Sequence, residues 1–516
     1  MRSVGKNEEK VPSEAIVLVL LILLGLLIAM LFYSGPFYSY DDANYIGFAR
    51  QIMVGNFSVE ESPYAYGFAF PYFIAASFWL FGYGIEQSFL VSLVSYIAII
   101  IVAFFAGKVV SGLGSATISG FLAAIAPFLV QYSTRVMPDL LLGAFAGASL
   151  FLALYAEKSK RAALMYLLSG LLAGFTVFIK LEALAFVLFF FIGLLILLFV
   201  QPHKKTRRKH LEIFAIAALV ATVGIYFAFI YAMTGNPLYT ISRYGVLQHR
   251  ISPTTLFENI YNLFVTLFGF TVSGSLFSPY TLSPIIYPYG FGIFFALIGS
   301  VIGIKRKSRK IILLSVVSWG FFLYMYFGTM SFSKYLFIAV ITRYFSMISV
   351  PMSVLAALGI YSFYKIIYSY CKSCALLSAV LIIILIVLLS LPTYLGIYYY
   401  NKAIALDNLV IKCASSYLSE SGTKVVYANA ATELLALDTK YKFNPHQIGS
   451  SCNSLGNGGM LVYFYSNEGS LNQGLGSWLG NSCYNVDLFN CNPNESSEIY
   501  ENMVINAEIS TISRYS

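Results

Sequence analysis

Charge is scarce in this chain. Only 11% of its 516 residues are Asp, Glu, Lys or Arg, while 59% are hydrophobic; soluble domains carry roughly 25% and 45–50%. That shortage excludes a water-soluble globular protein. Histidine is nearly missing, with four residues, and two of those, His203 and His210, lie in a basic run. No His/Cys set has metal-ligand spacing, no Gly-rich phosphate loop is present, and no Ser-His-Asp arrangement can be drawn. Three Trp stand beside 40 Tyr and 44 Phe. Mean hydropathy is +0.76, and apolar runs of about 20 residues recur, each long enough to cross a bilayer as a helix. The expected fold class is a polytopic α-helical membrane protein.

The net charge of +9 is concentrated in short connections between apolar runs: Lys158, Lys160 and Arg161; Lys204, Lys205, Arg207, Arg208 and Lys209; Lys305, Arg306, Lys307, Arg309 and Lys310. Bases in short loops mark the cytoplasmic side, so these clusters read as solvated loops and not as a nucleic-acid patch. The N-terminus, with Arg2, Lys6 and Lys10, joins them there. Parity then gives about eleven spans: Ala15–Ser34, Ser88–Lys108, Gly114–Tyr132, Leu140–Ala156, Ala162–Phe178, Leu184–Val200, Ile213–Met233, Ile285–Ile304, Ile311–Phe327, Phe345–Ile367 and Leu376–Leu395. Leu256–Leu282 is apolar as well, but a crossing there would put basic clusters on opposite sides, so it reads as interfacial or re-entrant. The first run shows no small-residue cleavage site before Tyr33 and reads as a retained anchor.

Composition shifts near residue 400. Residues 1–400 form the membrane domain, with an outer loop over 35–87. Residues 401–516 hold ten acids against six bases and alternate short apolar runs, such as Val425–Tyr427 and Met460–Tyr465, with Gly, Asn and Ser. This is the pattern of strands in a small α/β or mixed domain, extracytoplasmic by parity. Its cysteines Cys413, Cys452, Cys483 and Cys491 are an even set in a disulfide-permissive compartment, with three pairings open. Cys371 and Cys374 lack the context of a redox fold. The sequons at Asn56 and Asn494 fall on the same outer side.

The acids of the membrane domain are few, so each can be weighed. Asp41 and Asp42 follow the first span; Asp139 follows Arg135-Val-Met-Pro138; Lys180 and Glu182 sit at the turn between the fifth and sixth spans; Arg343 opens the tenth. Each suits a plain structural role: Asp41 or Asp42 as a helix cap, Arg135 with Asp139 as a pair four apart, Lys180 as a snorkelling base. Together, at one face, they point to function, since ionisable groups beside hydrocarbon are costly unless paired or used. A carboxylate can take a proton from an acceptor hydroxyl. Lys and Arg can hold a phosphate and stabilise the charge it gains on leaving. Those parts suit group transfer from a lipid phosphate outside the cell.

On these residues the sequence resembles the GT-C superfamily of integral-membrane glycosyltransferases, in the branch of protein O-mannosyltransferases and aminoarabinose transferases. The match lies in Tyr40-Asp41-Asp42-Ala-Asn-Tyr45 with Ala49-Arg50 through Asn56-Phe57, in Leu80-Phe-Gly82, in Arg135-x-x-Pro-Asp139, in Gly174 to Lys180, and in Arg343-Tyr344 with Pro351. It covers roughly residues 10–370. The resemblance implies a polyprenyl- or dolichyl-phosphate sugar as donor, inversion at the sugar carbon, and a protein, glycan or glycolipid hydroxyl as acceptor. It makes Asp41 the general base, with Asp42 supporting or sharing that role, and Asp139 a second acid of the site. Lys180, Arg343 and Arg135 become donor-phosphate ligands, with Tyr45 and Glu182 as further site residues. Relatives with monophosphate donors generally need no catalytic metal, so no cofactor is expected, although clustered acids leave a divalent ion as an alternative. The tail lacks a Trp-Trp-Asp-Tyr-Gly motif, against an oligosaccharyltransferase, and does not look like a β-trefoil. Two rivals remain at this level: a secondary transporter, whose charges would lie near the midplane of repeated halves, and a catalytically silent relative.

Overall fold

A computed structural model describes residues 14–33, 40–59, 67–199, 210–243, 260, 263, 292–329, 342–370, 380 and 394, and four strands between 426 and 514. Helices dominate. In chain order they are α1 (Glu14–Leu31), α2 (Tyr40–Val54), α3 (Ala69–Phe81), α4 (Ile85–Ser111), α5 (Leu113–Ala124), α6 (Pro127–Ser133), α7 (Pro138–Ala156), α8 (Ala162–Ile179), α9 (Ala183–Phe199), α10 (Glu212–Thr234), α11 (Gly292–Lys305) and α12 (Arg309–Phe327). A 3-10 helix, Thr342–Ile348, runs into α13 (Ser349–Tyr370). Among the described residues, seven helices are long and apolar enough to cross a membrane, or eight if a bent pair counts as one span; α9 and α11 are shorter apolar helices. The chain is a multi-pass membrane protein. Of the expected spans, Leu376–Leu395 lies outside the described residues apart from Val380 and Tyr394, and so does nearly all of Leu256–Leu282.

Two departures from the sequence reading bear on the site. The stretch 35–87, read as a loop, contains α2 and α3. With 13 residues, α3 is only about 20 Å long at 1.5 Å per residue, too short to span; its apolar character comes from packing Phe70, Ile74 and Phe78 into the core. The expected third span is broken into α5 and α6, bent by 56°. Pro127 at the start of α6 has no N–H to continue the ladder. The carbonyls freed by the break are taken up by tyrosines, Tyr96 Oη donating to Ala124 O at 2.5 Å and Tyr394 Oη to Ile125 O at 2.7 Å. The bend delivers the chain to Tyr132–Asp139.

Helices α4, α5, α7 and α13 form the interior, with α8 packed between α7 and α10, and α11 against α13. A Cβ on Gly143 would lie 2.6 Å from the Ser346 carbonyl oxygen. Glycine there lets α7 approach the 3-10 helix closely, which sets Asp139, one turn before, beside Arg343 and Tyr344. At the opposite end of α7, the loop bases are not simply solvated: Arg309 pairs with Glu212, and Lys158 and Lys310 both donate to the Val109 carbonyl.

Strands β1 (Val426–Ala428), β2 (Met460–Ser466), β3 (Tyr484–Cys491) and β4 (Ile505–Arg514) form a sheet of order β1-β2-β4-β3. The first pair is parallel and the others antiparallel. This mixed sheet contains both strands expected from the sequence. The side chains of the six cysteines lie outside the described residues.

Candidate active site

The sequence supplies α2 with two acids in its first turn, and the structure separates them. Asp42 is wholly buried and its Oδ1 accepts the Val136 backbone N–H at 2.8 Å. Asp41 keeps 18% of its side chain exposed, and its Oδ2 accepts from Arg343 Nη1 at 2.8 Å. The neighbouring residues of one helix turn thus have different tasks. Asp42 ties α2 to the backbone just before Pro138, and Asp41 looks into the site.

Asp139 sits in the first turn of α7, where a carboxylate is favoured by the helix dipole. It is fully buried, and Lys180 Nζ donates to its Oδ1 at 2.8 Å. Lys180 ends α8 in extended conformation, which turns its side chain away from the helix axis toward α7. Its ammonium is also 3.6 Å from Glu182 Oε1. Burial works against the charge on Lys180, but Asp139 and then Glu182 outweigh it and raise the pKa above the ordinary lysine value. The Asp139–Lys180 contact answers the expectation of an Arg135–Asp139 pair with a different base.

Tyr344 joins the two ion pairs. The Lys180 ammonium lies 4.5 Å from its ring centroid and the Arg343 guanidinium 6.0 Å, both within cation–π reach. Arg343 Nη1 also contacts Met137 Sδ at 3.4 Å. Arg135 is buried, with its guanidinium 5.7 Å from the Tyr132 ring. Tyr45, one turn after Asp41, packs edge-on against Phe70 at 5.1 Å. Burial, and then the charge on Asp41, push its phenol well above the usual range, so it stays protonated and can donate.

Asp41, Arg343, Tyr344, Lys180, Asp139 and Glu182 therefore form one connected cluster, and Asp42 is bonded to the backbone beside it. Two of its buried polar atoms, Arg343 Nε and Asp139 Oδ2, have no hydrogen-bond partner among the described residues. Buried polar atoms in native proteins are nearly always satisfied, and exceptions mark functional or ligand sites. Among the described residues no group of three His, Cys, Asp or Glu could hold a metal ion; the acids face bases instead. Sequence reasoning gave Tyr344 no role, although it stands next to Arg343. It also missed Gly67. A Cβ there would fall 2.2 Å from Ile179 O and 3.2 Å from Lys180 Cα, so the chain entering α3 presses directly on the backbone that aims Lys180.

Comparison with known proteins agrees on the class. The family model for dolichyl-phosphate-mannose-protein mannosyltransferase matches residues 65–227, a stretch that includes Asp139, Lys180 and Glu182. ArnT from Cupriavidus metallidurans in the apo state shares the fold with a TM-score of 0.60 at 12% identity, over 96% of this chain and 98% of that one. Its complex with undecaprenyl phosphate gives a TM-score of 0.58 at the same identity and coverage. The archaeal oligosaccharyltransferase AglB from Archaeoglobus fulgidus, in complex with an inhibitory peptide and a dolichol-phosphate, matches at a TM-score of 0.51 and 12% identity, over 93% of this chain and 73% of that one. No curated protein matches in sequence. The fold is the one these membrane-enzyme structures share, and the family model matches residues 65–227, both in line with the resemblance read from the sequence.

Proposed function

We propose that this chain transfers a sugar from a polyprenyl- or dolichyl-phosphate donor to an acceptor hydroxyl, with inversion and with Asp41 as general base, at the extracytoplasmic face of the cell membrane. The observation that carries this reading is the pair of carboxylate–base contacts, Asp41–Arg343 and Asp139–Lys180, meeting at Tyr344 with Arg343 Nε and Asp139 Oδ2 buried and unmet among the described residues. The N-terminus is cytoplasmic and the domain of residues 401–516 extracytoplasmic on this reading, since the cluster lies at the end of α7 and α8 opposite the basic loops.

The donor is a phosphodiester bearing one negative charge. Its phosphate competes with Asp41 for Arg343, and Lys180 and Arg135 add to its binding. Released from its ion pair, Asp41 takes the proton of the acceptor hydroxyl. The acceptor oxygen attacks the anomeric carbon from the face opposite the phosphate, and the bond from that carbon to the phosphate oxygen breaks. The electron pair leaves with the lipid phosphate, which gains a second negative charge. Lys180 and Arg343 stabilise that gain in a site of low dielectric, where a fixed charge acts more strongly than in water. Asp139 and Glu182 hold Lys180 protonated and aimed, and the protonated Tyr45 donates near Asp41. The mechanism as drawn needs no metal, since among the described residues Asp41, Asp139 and Glu182 each face a base and Asp42 a backbone N–H. ArnT was observed with undecaprenyl phosphate and AglB with a dolichol-phosphate, which supports a lipid phosphate here.

The test is sugar transfer in proteoliposomes from radiolabelled polyprenyl-phosphate sugars to a membrane extract. Transfer by the wild type and its loss in Asp41→Asn supports the reading. Equal transfer by both retires Asp41 as the base.

A further inference from the structure

At the end of the bundle away from the candidate active site, the basic loops meet in one place. Lys158, from the α7–α8 loop, donates to Val109 O at 3.0 Å, and Lys310, from the first turn of α12, reaches the same oxygen at 3.3 Å. That carbonyl belongs to the last turn of α4, where the helix dipole favours cations. Arg309 beside it donates to Leu197 O at 2.9 Å and pairs with Glu212, and both Arg309 and Lys310 lie about 4 Å from Glu157. Two carboxylates thus pair with Arg309 and Lys310, and with Lys158 on the Val109 carbonyl they form a knot that binds α4, α7, α9, α10 and α12 together.

A rim of five more bases surrounds the knot: Lys160 and Arg161 on one side, Lys305, Arg306 and Lys307 on the other. All five are exposed, and among the described residues none takes part in an ion pair. The turn that carries the last three is tightly built. Ser308 N–H bonds to Gly303 O at 3.0 Å and Lys307 N–H to Ile304 O at 2.9 Å, the two bonds of a Schellman cap. Lys307 holds the left-handed position, φ 51°, which glycine fills most easily. A lysine is kept where local sterics disfavour it, and its charge adds to the rim.

We infer that this rim is a docking surface for the headgroups of anionic phospholipids in the leaflet at that end. Four to eight bases next to the ends of apolar helices have the charge and the depth to meet lipid phosphates, each base contributing through a field that fades within a Debye length. Glu157 and Glu212 are taken up by Arg309 and Lys310, which leaves the rim bases without an ion pair among the described residues and their loops already ordered. Binding then costs little conformational entropy.

The full-length protein in detergent is titrated with phosphatidylglycerol, with phosphatidylcholine as control, and bound lipid is read by native mass spectrometry. The wild type is expected to retain phosphatidylglycerol in preference to phosphatidylcholine. Lys307→Gly removes a charge and relieves the left-handed strain together. It is expected to weaken phosphatidylglycerol binding about fivefold while the melting temperature stays level or rises, a combination that a purely structural lysine does not give. Adding Lys305→Ala and Arg306→Ala is expected to bring the loss to about a hundredfold. Equal retention of the two lipids by the wild type, unchanged binding in the triple variant, or displacement of the lipid by equimolar inorganic phosphate overturns the inference. Sugar transfer is not the readout, so failure here is separate from failure of the proposed function.

Discussion

Arg343 donates to Asp41 at 2.8 Å across 302 residues of sequence, joining the start of α2 to the 3-10 helix that leads into α13. The contact sets the resting state of the site. The carboxylate has one oxygen taken up by the guanidinium, and the guanidinium has one nitrogen taken up by the carboxylate. On the proposed mechanism donor binding resolves both at once, by moving Arg343 from Asp41 to the phosphate. Arg343→Lys is therefore expected to lose more than a charge-conserving change would suggest. A lysine cannot hold the carboxylate and the Tyr344 ring in the same fork geometry. Transfer assays at saturating and limiting donor check this, with the larger effect expected on donor affinity.

The two adjacent acids give a sharper contrast. Asp41→Asn removes the proposed base and is expected to lower turnover by about 10²- to 10⁴-fold, with the melting temperature lowered only by the loss of the partly exposed charge pair with Arg343, whose hydrogen bond the amide oxygen can still accept. Asp42→Asn keeps an oxygen for the Val136 N–H and is expected to be nearly silent in stability. Asp42→Ala leaves that buried N–H without its acceptor and is expected to cost about 1–3 kcal/mol. Thermal melts of the three variants beside their transfer rates separate the catalytic acid from the tethering one. If Asp42→Asn abolishes transfer and Asp41→Asn does not, the assignment of the two residues is reversed.

Lys180 is buried against Asp139, and the pair is costly to break from one side. Lys180→Met leaves a fully buried carboxylate uncompensated and is expected to destabilise the protein by about 3–5 kcal/mol. Combining Lys180→Met with Asp139→Leu removes both charges and is expected to recover most of that stability without any sugar transfer. Denaturation melts of the single and double variants test the coupling.

Much of this site was legible in the sequence because charge is so rare in it. In a chain with 11% charged residues, Asp41, Asp139, Lys180, Glu182 and Arg343 stand out against the apolar background, and helix parity alone places them at one end. The helix ends were legible for the same reason: α7 runs from Pro138 to the residue before Glu157, and α8 lies between Arg161 and Lys180, so the charges punctuate the apolar runs. The division of labour between Asp41 and Asp42 was not legible, because it depends on which carboxylate meets a backbone N–H 94 residues away. Nor was α3, whose apolar run is shorter than a span and has no period to separate it from a loop. The break between α5 and α6 was signalled by Pro127, but the tyrosines that satisfy the freed carbonyls come from distant segments. Packing decided each of these.

The raised pKa of Lys180 has a consequence for alkaline stability. A lysine whose folded pKa lies above its unfolded one stabilises the fold fully below the unfolded value, about 10.4. That stabilisation fades as pH rises from there through the raised folded value. The melting temperature is therefore expected to fall between pH 10 and 11 by more in the wild type than in the Lys180→Met/Asp139→Leu variant, which has no such group to titrate. A parallel decline in both would show that other lysines and tyrosines govern the alkaline limb.

Gly67 offers a test of positioning without touching a charge. Its Cα faces the Ile179 carbonyl so closely that a methyl group would sit 2.2 Å from the oxygen and 2.9 Å from the carbon. Those atoms are backbone at the end of α8 and cannot rotate aside as a side chain would. Gly67→Ala must push the segment before α3 away from α8 or displace the Ile179–Lys180 peptide. Either movement changes the aim of the Lys180 ammonium at Asp139 and the Tyr344 ring, contacts of 2.8 and 4.5 Å. Overpacking of this kind costs about 1–3 kcal/mol, and a misplacement of about 1 Å at a reacting centre costs about a hundredfold in rate. Gly67→Ala is thus expected to depress transfer far more than it depresses the melting temperature, with donor affinity weakened because the proposed mechanism makes Lys180 a phosphate ligand. Gly224, on α10 with nothing within 4 Å of a built Cβ, is the control: Gly224→Ala is expected to leave transfer unchanged and stability level or slightly raised, alanine being the better helix former. Equal behaviour of the two alanine variants in the transfer assay would mean that the α3 approach to Lys180 has no part in the chemistry.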